Sequence, residues 1–549
     1  MKPPEIVTAT RGELDEILAL TKPLLPAQHY QLLEGVFGTF EFLMLKLQNA
    51  KTSMRRLQRM LFGARTELKR NVIKDAAGAA ALPSAGDDAR PETTDGAAPS
   101  ERDRAPTAPA PPKVKGHGRN GAQAYRDALV VECKHADLQA SQHCPQCCTG
   151  KVYESPPKVV VRVVGQAPLA ATLYRVQRLR CRLCDAIYTA PVPDAVAAAP
   201  KYDASCASMI ALLRYGSGMP FYRLQGLQAS LHVPLPDATQ WDIVKQAVPA
   251  PRSVYDELVR QAAQARLLHN DDTPARVLAL MAERKKAEAS GKPTPKAINT
   301  SGIVALLGQH RVVLFFTGHE HAGHNLEQVL AHRAPELDPP MQMCDALASN
   351  MAGDFATILC HCLAHGRRRV IDVLEHFPQE GGHVIEVLSR VYANDEHCRA
   401  QEFSPEQRLA YHQEHSATPM HGLKTWMEEQ FDKRQVEPNC GLGQALRYLL
   451  NHWEPLTLFL RRAGAPLDNN VCERALKRAI LHRKNSLFYK TRQGAEVGDI
   501  YMSLIHTCAL CGINAFEYLQ ALQLHANEVM ARAAQWLPWN FRQQLAPSG

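Results

Sequence analysis

The chain has 549 residues, 45% of them hydrophobic and 21% charged, with a net charge of +8. That length exceeds one hydrophobic core, so several domains are expected, and the composition excludes a wholly disordered or fibrous protein. The opening stretch MKPPEIVTATRGELDEI lacks the apolar run of a secretory signal, and nothing approaches 18 uncharged apolar residues, so a cytoplasmic protein with no membrane span is expected.

Residues 1–73 read as helical. Leu33, Val36, Phe40, Leu43, Leu47, Ala50, Met54, Leu57, Leu61, Ala64 and Leu68 alternate by three and four and are all apolar, which is a heptad seam. Pairing with a second copy is the expectation, and packing on the protein's own body is the alternative. Residues 74–120 are dominated by Ala, Pro, Gly and charge. They cannot bury enough surface to fold, and are expected to be a flexible linker.

Residues 121–198 carry HCPQC, a β-rich stretch and then CRLCD. Cys144, Cys147, Cys181 and Cys184 have the spacing of two knuckles that close a tetrahedral, structural Zn²⁺ site, and Cys133, His135, His143 and Cys148 lie close enough in sequence to compete as ligands. The fifteen cysteines are therefore read as metal-binding or buried rather than as a disulfide framework. Basic residues beside these knuckles suit nucleic acid or a protein partner. Two further groups are set aside. Cys508 and Cys511 sit in an apolar run that reads as a buried helix, and Cys360-His361-Cys362 with His365 is followed at once by three arginines.

Residues 199–262 read as a helical lead-in. Next come ARLLHNDDTP, two apolar stretches (SGIVALLG, HRVVLFFTG), an amphipathic segment and MQMCDA. This order predicts a mixed sheet with Asp271 and Asp345 at strand ends. The segment 281–300 reads as a polar insertion, and 370–460 is Leu-, Glu- and Arg-rich with few strand signals. The helix starting near PLDNNVCERALKRAI has Asn470 and Glu473 at capping-box spacing, with Asn470 as N-cap. Between Arg461 and Arg492 nine basic residues stand against two acidic ones, nearly the whole positive excess and a footprint for a polyanion.

Either aspartate alone is ordinary turn chemistry. Two sheet-end aspartates with one helical Glu, beside dense positive charge, would suit two-metal phosphoryl chemistry with Mg²⁺. The phosphate backbone would lie on Arg474, Lys477, Arg478, Arg483 and Lys484.

These pieces resemble, in order, the motifs of the insertion sequence 66 family of transposases: LQRMLFGARTE, CPQC with CRLC, RYGSGMPFYRLQGL, PDATQWDIV, NDDTP, MQMCDA, CLAHGRRR, LDNNVCERALKRAI, HRKNSLF and GINAFEYL. The resemblance spans nearly the whole chain. It implies an RNase-H-like catalytic domain over 263–508 with a helical insertion at about 370–460, and a C-terminal helical segment at 509–549. It further implies Asp271, Asp345 and Glu473 as the metal-binding triad, with His365 as a further site candidate. The implied activity is cleavage and strand transfer of DNA at the ends of a mobile element. The implied partners are element and target DNA, a second copy of the chain and small accessory proteins. A non-catalytic DNA binder of transposase descent and a nuclease that cuts without joining are the alternatives.

Overall fold

The computed structural model describes residues 11–38, 130, 138–143, 145–147, 150–153, 166–180, 182, 187–291, 293 and 297–545. Two compact units emerge, one made of residues 1–83 with 169–549 and one of 84–168. In the smaller unit Ser141 N donates to Val152 O at 2.8 Å and Val152 N to Gln142 O at 2.9 Å, beside an antiparallel bridge between His143 and Lys151. In the larger unit a helix spans Arg11–Thr21, and residues 27–38 are also helical. Leu33 and Val36 of the heptad seam lie there, with Val36 exposed. The other nine seam positions, and the linker at 74–120, lie outside the described residues. Among the described residues, no helix is long and apolar enough to cross a membrane.

The centre of the larger unit is a five-stranded sheet. Its strands are β1 (Leu267–Pro274), β2 (Asn299–Leu307), β3 (His310–Gly318), β4 (Met341–Cys344) and β5 (Ile358–His361). Their spatial order is β3-β2-β1-β4-β5. The β3/β2 and β2/β1 pairs are antiparallel, whereas β4 and β5 run parallel to β1. Leu267 joins a core with Met341, Met343 and Cys360, while Leu268 joins one with Val304, Val313 and Phe315. Alternation along a strand sends these neighbours to different faces, so β1 is buried on both.

Helices α1 (Pro249–Ala263), α2 (Ala322–Leu330), α3 (Leu363–Ile371), α4 (Asn470–Ser486) and α5 (Arg492–Leu510) surround this sheet. Between α3 and α4 come helices Pro378–Ala400, Pro405–His415, Ala417–Asp432 and Gly441–Asn451, with no strand among them. Ser404 and Gln407 form a capping box at the start of one of these helices, and Arg408 binds Asp395 at 2.6 Å. Their buried Val384, Leu388, Leu423, Met427 and Leu446 share one core with β4 and β5. The segment read as a polar insertion at 281–300 instead begins inside a helix, Leu278–Ala289.

An edge strand exposes unpaired amides, and β3 has its own solution. Asp499, Ser503 and Thr507 recur every four residues along one face of α5. They accept from Thr317 N (2.6 Å), Phe315 N (2.9 Å) and Val313 N (3.0 Å). The 3.6-residue helix period thus meets the two-residue strand period, and every outward amide of this stretch is paired.

Candidate active site

Asp271 stands inside β1, not at its end as the sequence suggested. Pairing with β2 carries the strand on to Pro274 opposite Asn299. Polar residues hold this extended conformation because β2 supplies the ladder on one side, whatever the local preference. On the other side, parallel pairing with β4 ends at His269 opposite Met343. Asp271 and Asp345 each follow that last pair by two residues, Asp345 directly after β4, and they lie close enough for the charge of Asp345 to act on Asp271.

Gly302 is the residue opposite Asp271. A Cβ there would lie 2.9 Å from Leu476 Cδ2 and 3.5 Å from Cys472 Sγ, so its absence lets α4 rest directly on β2. Opposed residues on paired strands share a face. Asp271 therefore points toward α4, whose first turn carries Glu473. Asp272 points the other way, where its carboxylate accepts from Ser301 Oγ at 2.6 Å and from His321 Nδ1 and Ala322 N, both at 3.0 Å. That ties β1 to the start of α2 and leaves Asp271 as the acid facing Glu473.

A buried amide network fixes the site's edges. Asn469 Nδ2 donates to Asn270 O at 3.0 Å, which turns its Oδ1 to His269 Nδ1, also at 3.0 Å. His269 must then carry its proton on Nδ1, and burial keeps the ring neutral by lowering it to about 4. Gln342 Nε2 and Asn270 Nδ2 both donate to Asn350 O at 2.7 Å, while Asn350 Nδ2 donates to Asp345 at 2.5 Å. Sequence reasoning missed Asn270, Gln342, Asn350 and Asn469; the doubled Asn in LDNN was the only local signal.

The capping box expected from Asn470 is absent. Asn469 is the N-cap, and it makes no side-chain cap bond because its amide is committed to His269 and Asn270. Asn470 is the first helical residue, and its Oδ1 is buried without a hydrogen-bond partner.

Electrostatics are those of crowded carboxylates. Burial pushes Asp271 up to about 7, the charges of Asp345, Glu473 and Asp272 push the same way, and the hydrogen bond from Asp272 N opposes them. His365 Nε2 lies 3.9 Å from Glu473 Oε1. Burial holds His365 below its ordinary value, against the pull of Glu473 and Asp345. Glu473 Oε1 itself has no hydrogen-bond partner. Three acids forced together, one oxygen unpartnered, are a donor set suited to a hard divalent cation such as Mg²⁺. Asp271, Asp345 and Glu473 fit that role; the Cys362 thiol nearby does not, since Mg²⁺ takes oxygen ligands.

The basic residues divide. Arg474, Lys477 and Lys484 are exposed along α4. Arg478 is exposed too, with Nη1 donating to Gly216 O at 3.0 Å. Arg483 is half-buried and donates to Pro274 O and, at 3.3 Å, to Thr273 Oγ1. It clamps α4 to the end of β1. Of the zinc-spaced cysteines, Cys147 is exposed and its Sγ accepts from Gly150 N at 3.5 Å. Cys144, Cys181 and Cys184 lie outside the described residues. Cys508 is buried, in keeping with the helix expected there.

A family model described as Transposase IS66 family matches residues 201–497, which takes in β1 through α4 and the three acids. Among curated proteins, the uncharacterized protein y4jD of Sinorhizobium fredii is 24% identical over 384 residues, covering 66% of this chain and 71% of the relative. The uncharacterized protein y4hP of the same organism is 23% identical, covering 67% of this chain and 68% of the relative. A third, y4qI, is 27% identical over 36% of each chain.

Proposed function

The chain belongs to the IS66 family of transposases, and from that premise we propose that it cleaves DNA at the ends of a mobile element and joins the freed ends to target DNA. The observation that carries this reading is the convergence of Asp271, Asp345 and Glu473, from three distant chain segments, beside the central strand of the sheet. Their neighbourhood is the carboxyl end of the parallel strands, the usual place for ligands in open sheets of this kind. The order β3-β2-β1-β4-β5, with three antiparallel strands followed by two parallel ones, supports an RNase-H-like core interrupted by the helices between α3 and α4.

In this reading Asp271, Asp345 and Glu473 hold Mg²⁺, which when bound activates the attacking oxygen and stabilises the leaving one. Asp271 gives up its proton to do so. Asn469 and His269 keep the start of α4 against β1, so that Glu473 stays level with Asp271. Arg474, Lys477, Arg478 and Lys484 hold backbone phosphates along α4. Water is the nucleophile in cleavage, and the liberated 3′-hydroxyl is the nucleophile in joining. We extend the proposal to a structural Zn²⁺ on Cys144, Cys147, Cys181 and Cys184, self-association through the 33–68 seam, and dependence on accessory proteins of the same element.

The test is a product analysis with labelled element-end DNA, a target plasmid and Mg²⁺. Joined products support the transposase. Cleavage without joining gives the nuclease reading, and binding without cleavage gives the non-catalytic one.

A further inference from the structure

The sequence set Cys362 and His365 aside as metal ligands, because arginines follow them. The fold brings in a third residue, Glu473, from 108 positions further along the chain. Ligand atoms of Cys362, His365 and Glu473 all lie within 4.8 Å of one another. Cys362 is the N-cap of α3, His365 lies in its first turn, and Glu473 reaches them from the first turn of α4. Three residues apart at the start of one helix, Cys362 and His365 lie on the same face and can present a sulfur and a nitrogen to one ion.

Two features distinguish this cluster from inert packing. Glu473 Oε1 is buried and has no hydrogen-bond partner, which is costly unless something else satisfies it. The backbone amide of Asn469 donates to Cys362 Sγ at 3.3 Å; burial and the charges of Asp468 and Glu473 hold the free thiol protonated, well above its ordinary value, so a cation is what would draw the thiolate out. Tetrahedral Zn²⁺ with Zn–N and Zn–O of about 2.0–2.2 Å needs those two ligand atoms roughly 3.3–3.5 Å apart. The 3.9 Å from His365 Nε2 to Glu473 Oε1 is already close to that.

Hard and soft cations would make different use of this corner. Mg²⁺ selects the carboxylates and gains nothing from a thiol, whereas Zn²⁺ binds thiolate, imidazole and carboxylate together. We propose that Cys362, His365 and Glu473 form a second metal site, selective for zinc-class ions, which draws Glu473 away from Mg²⁺ and so inhibits DNA cleavage. Binding releases the Cys362 thiol proton to solvent, and water completes the fourth position. The inhibitory consequence rests on the proposed function; the metal site does not.

The test is Zn²⁺ stoichiometry of the full chain, compared with Cys362→Ser, His365→Gln and a Cys144→Ser/Cys147→Ser variant. Circular dichroism checks the fold of each. The natural chain is expected to bind one equivalent more than Cys362→Ser and than His365→Gln. The paired knuckle variant should lose a different equivalent and keep this one. With Co²⁺, a thiolate charge-transfer band should be present in the knuckle variant and absent once Cys362→Ser is added. Equal stoichiometry in the natural chain and in whichever of the first two variants is folded overturns the site. Where cleavage is measurable, Zn²⁺ should depress the Mg²⁺-supported rate at least tenfold in the natural chain. Cys362→Ser, relative to its own zinc-free rate, should be nearly insensitive. Equal sensitivity refutes the inhibitory role even if the ion binds.

Discussion

Replacing Asn469 by Ala removes the amide that joins β1 to the start of α4. The side chain is fully buried and makes two hydrogen bonds of 3.0 Å, from His269 Nδ1 and to Asn270 O. Both partners are themselves buried. Each would be left unsatisfied at about 1–3 kcal/mol, so the substitution should cost about 2–6 kcal/mol. Asn469→Asp is the sharper probe, because it keeps the acceptor for His269 and loses only the donor to Asn270 O. Its cost should come mainly from that one contact and from burying charge. Urea unfolding of the two variants measures this directly. Cleavage should fall further than stability explains, since displacing Glu473 by about 1 Å from Asp271 is worth about 100-fold in rate. A loss below about 1 kcal/mol, with cleavage unchanged, would refute the claim that this amide positions the site.

Gly302→Ala places a Cβ 2.9 Å from buried Leu476 and forces α4 off β2; overpacking of this kind costs about 1–3 kcal/mol, and cleavage should drop with it. Asp271 moved from 3.8 to about 7 favours the folded state while protonated. Without added Mg²⁺, that contribution of roughly 4 kcal/mol is complete below pH about 4 and is lost as pH rises through about 7. Asp499 behaves alike, so the comparison is with Asp271→Asn, which should flatten the pH profile by its own share alone. Lys477→Ala and Lys484→Ala should each lower the salt dependence of DNA binding by about one ion. Arg483→Ala should instead lower stability, because that guanidinium is bound to Pro274 O; an equal salt effect from all three would contradict the division.

The sheet was legible in the sequence because SGIVALLG and HRVVLFFTG are apolar runs of strand length bounded by Gly. The helices between α3 and α4 were legible because 370–460 offers almost no strand signal. The position of Asp271 within β1 was not. NDDTP has poor strand propensity, and only the ladder from β2 keeps it extended. The cap of α4 was misplaced by one residue because Asn469 and Asn470 are equivalent to a local rule. What separates them is His269, 200 positions away. The Cys362–His365–Glu473 cluster was hidden for the same reason, since sequence spacing reveals two of its members and the fold supplies the third. Local chemistry was readable, and partners brought together by the sheet were not.

The most direct test of the central claim is a cleavage assay on element-end DNA with Mg²⁺, run beside a DNA-binding measurement. It would compare the natural chain with Asp271→Asn, Asp345→Asn and Glu473→Gln. The account predicts that each variant binds DNA nearly as the natural chain does and that none cleaves it. Cleavage at the natural rate by Glu473→Gln would contradict it.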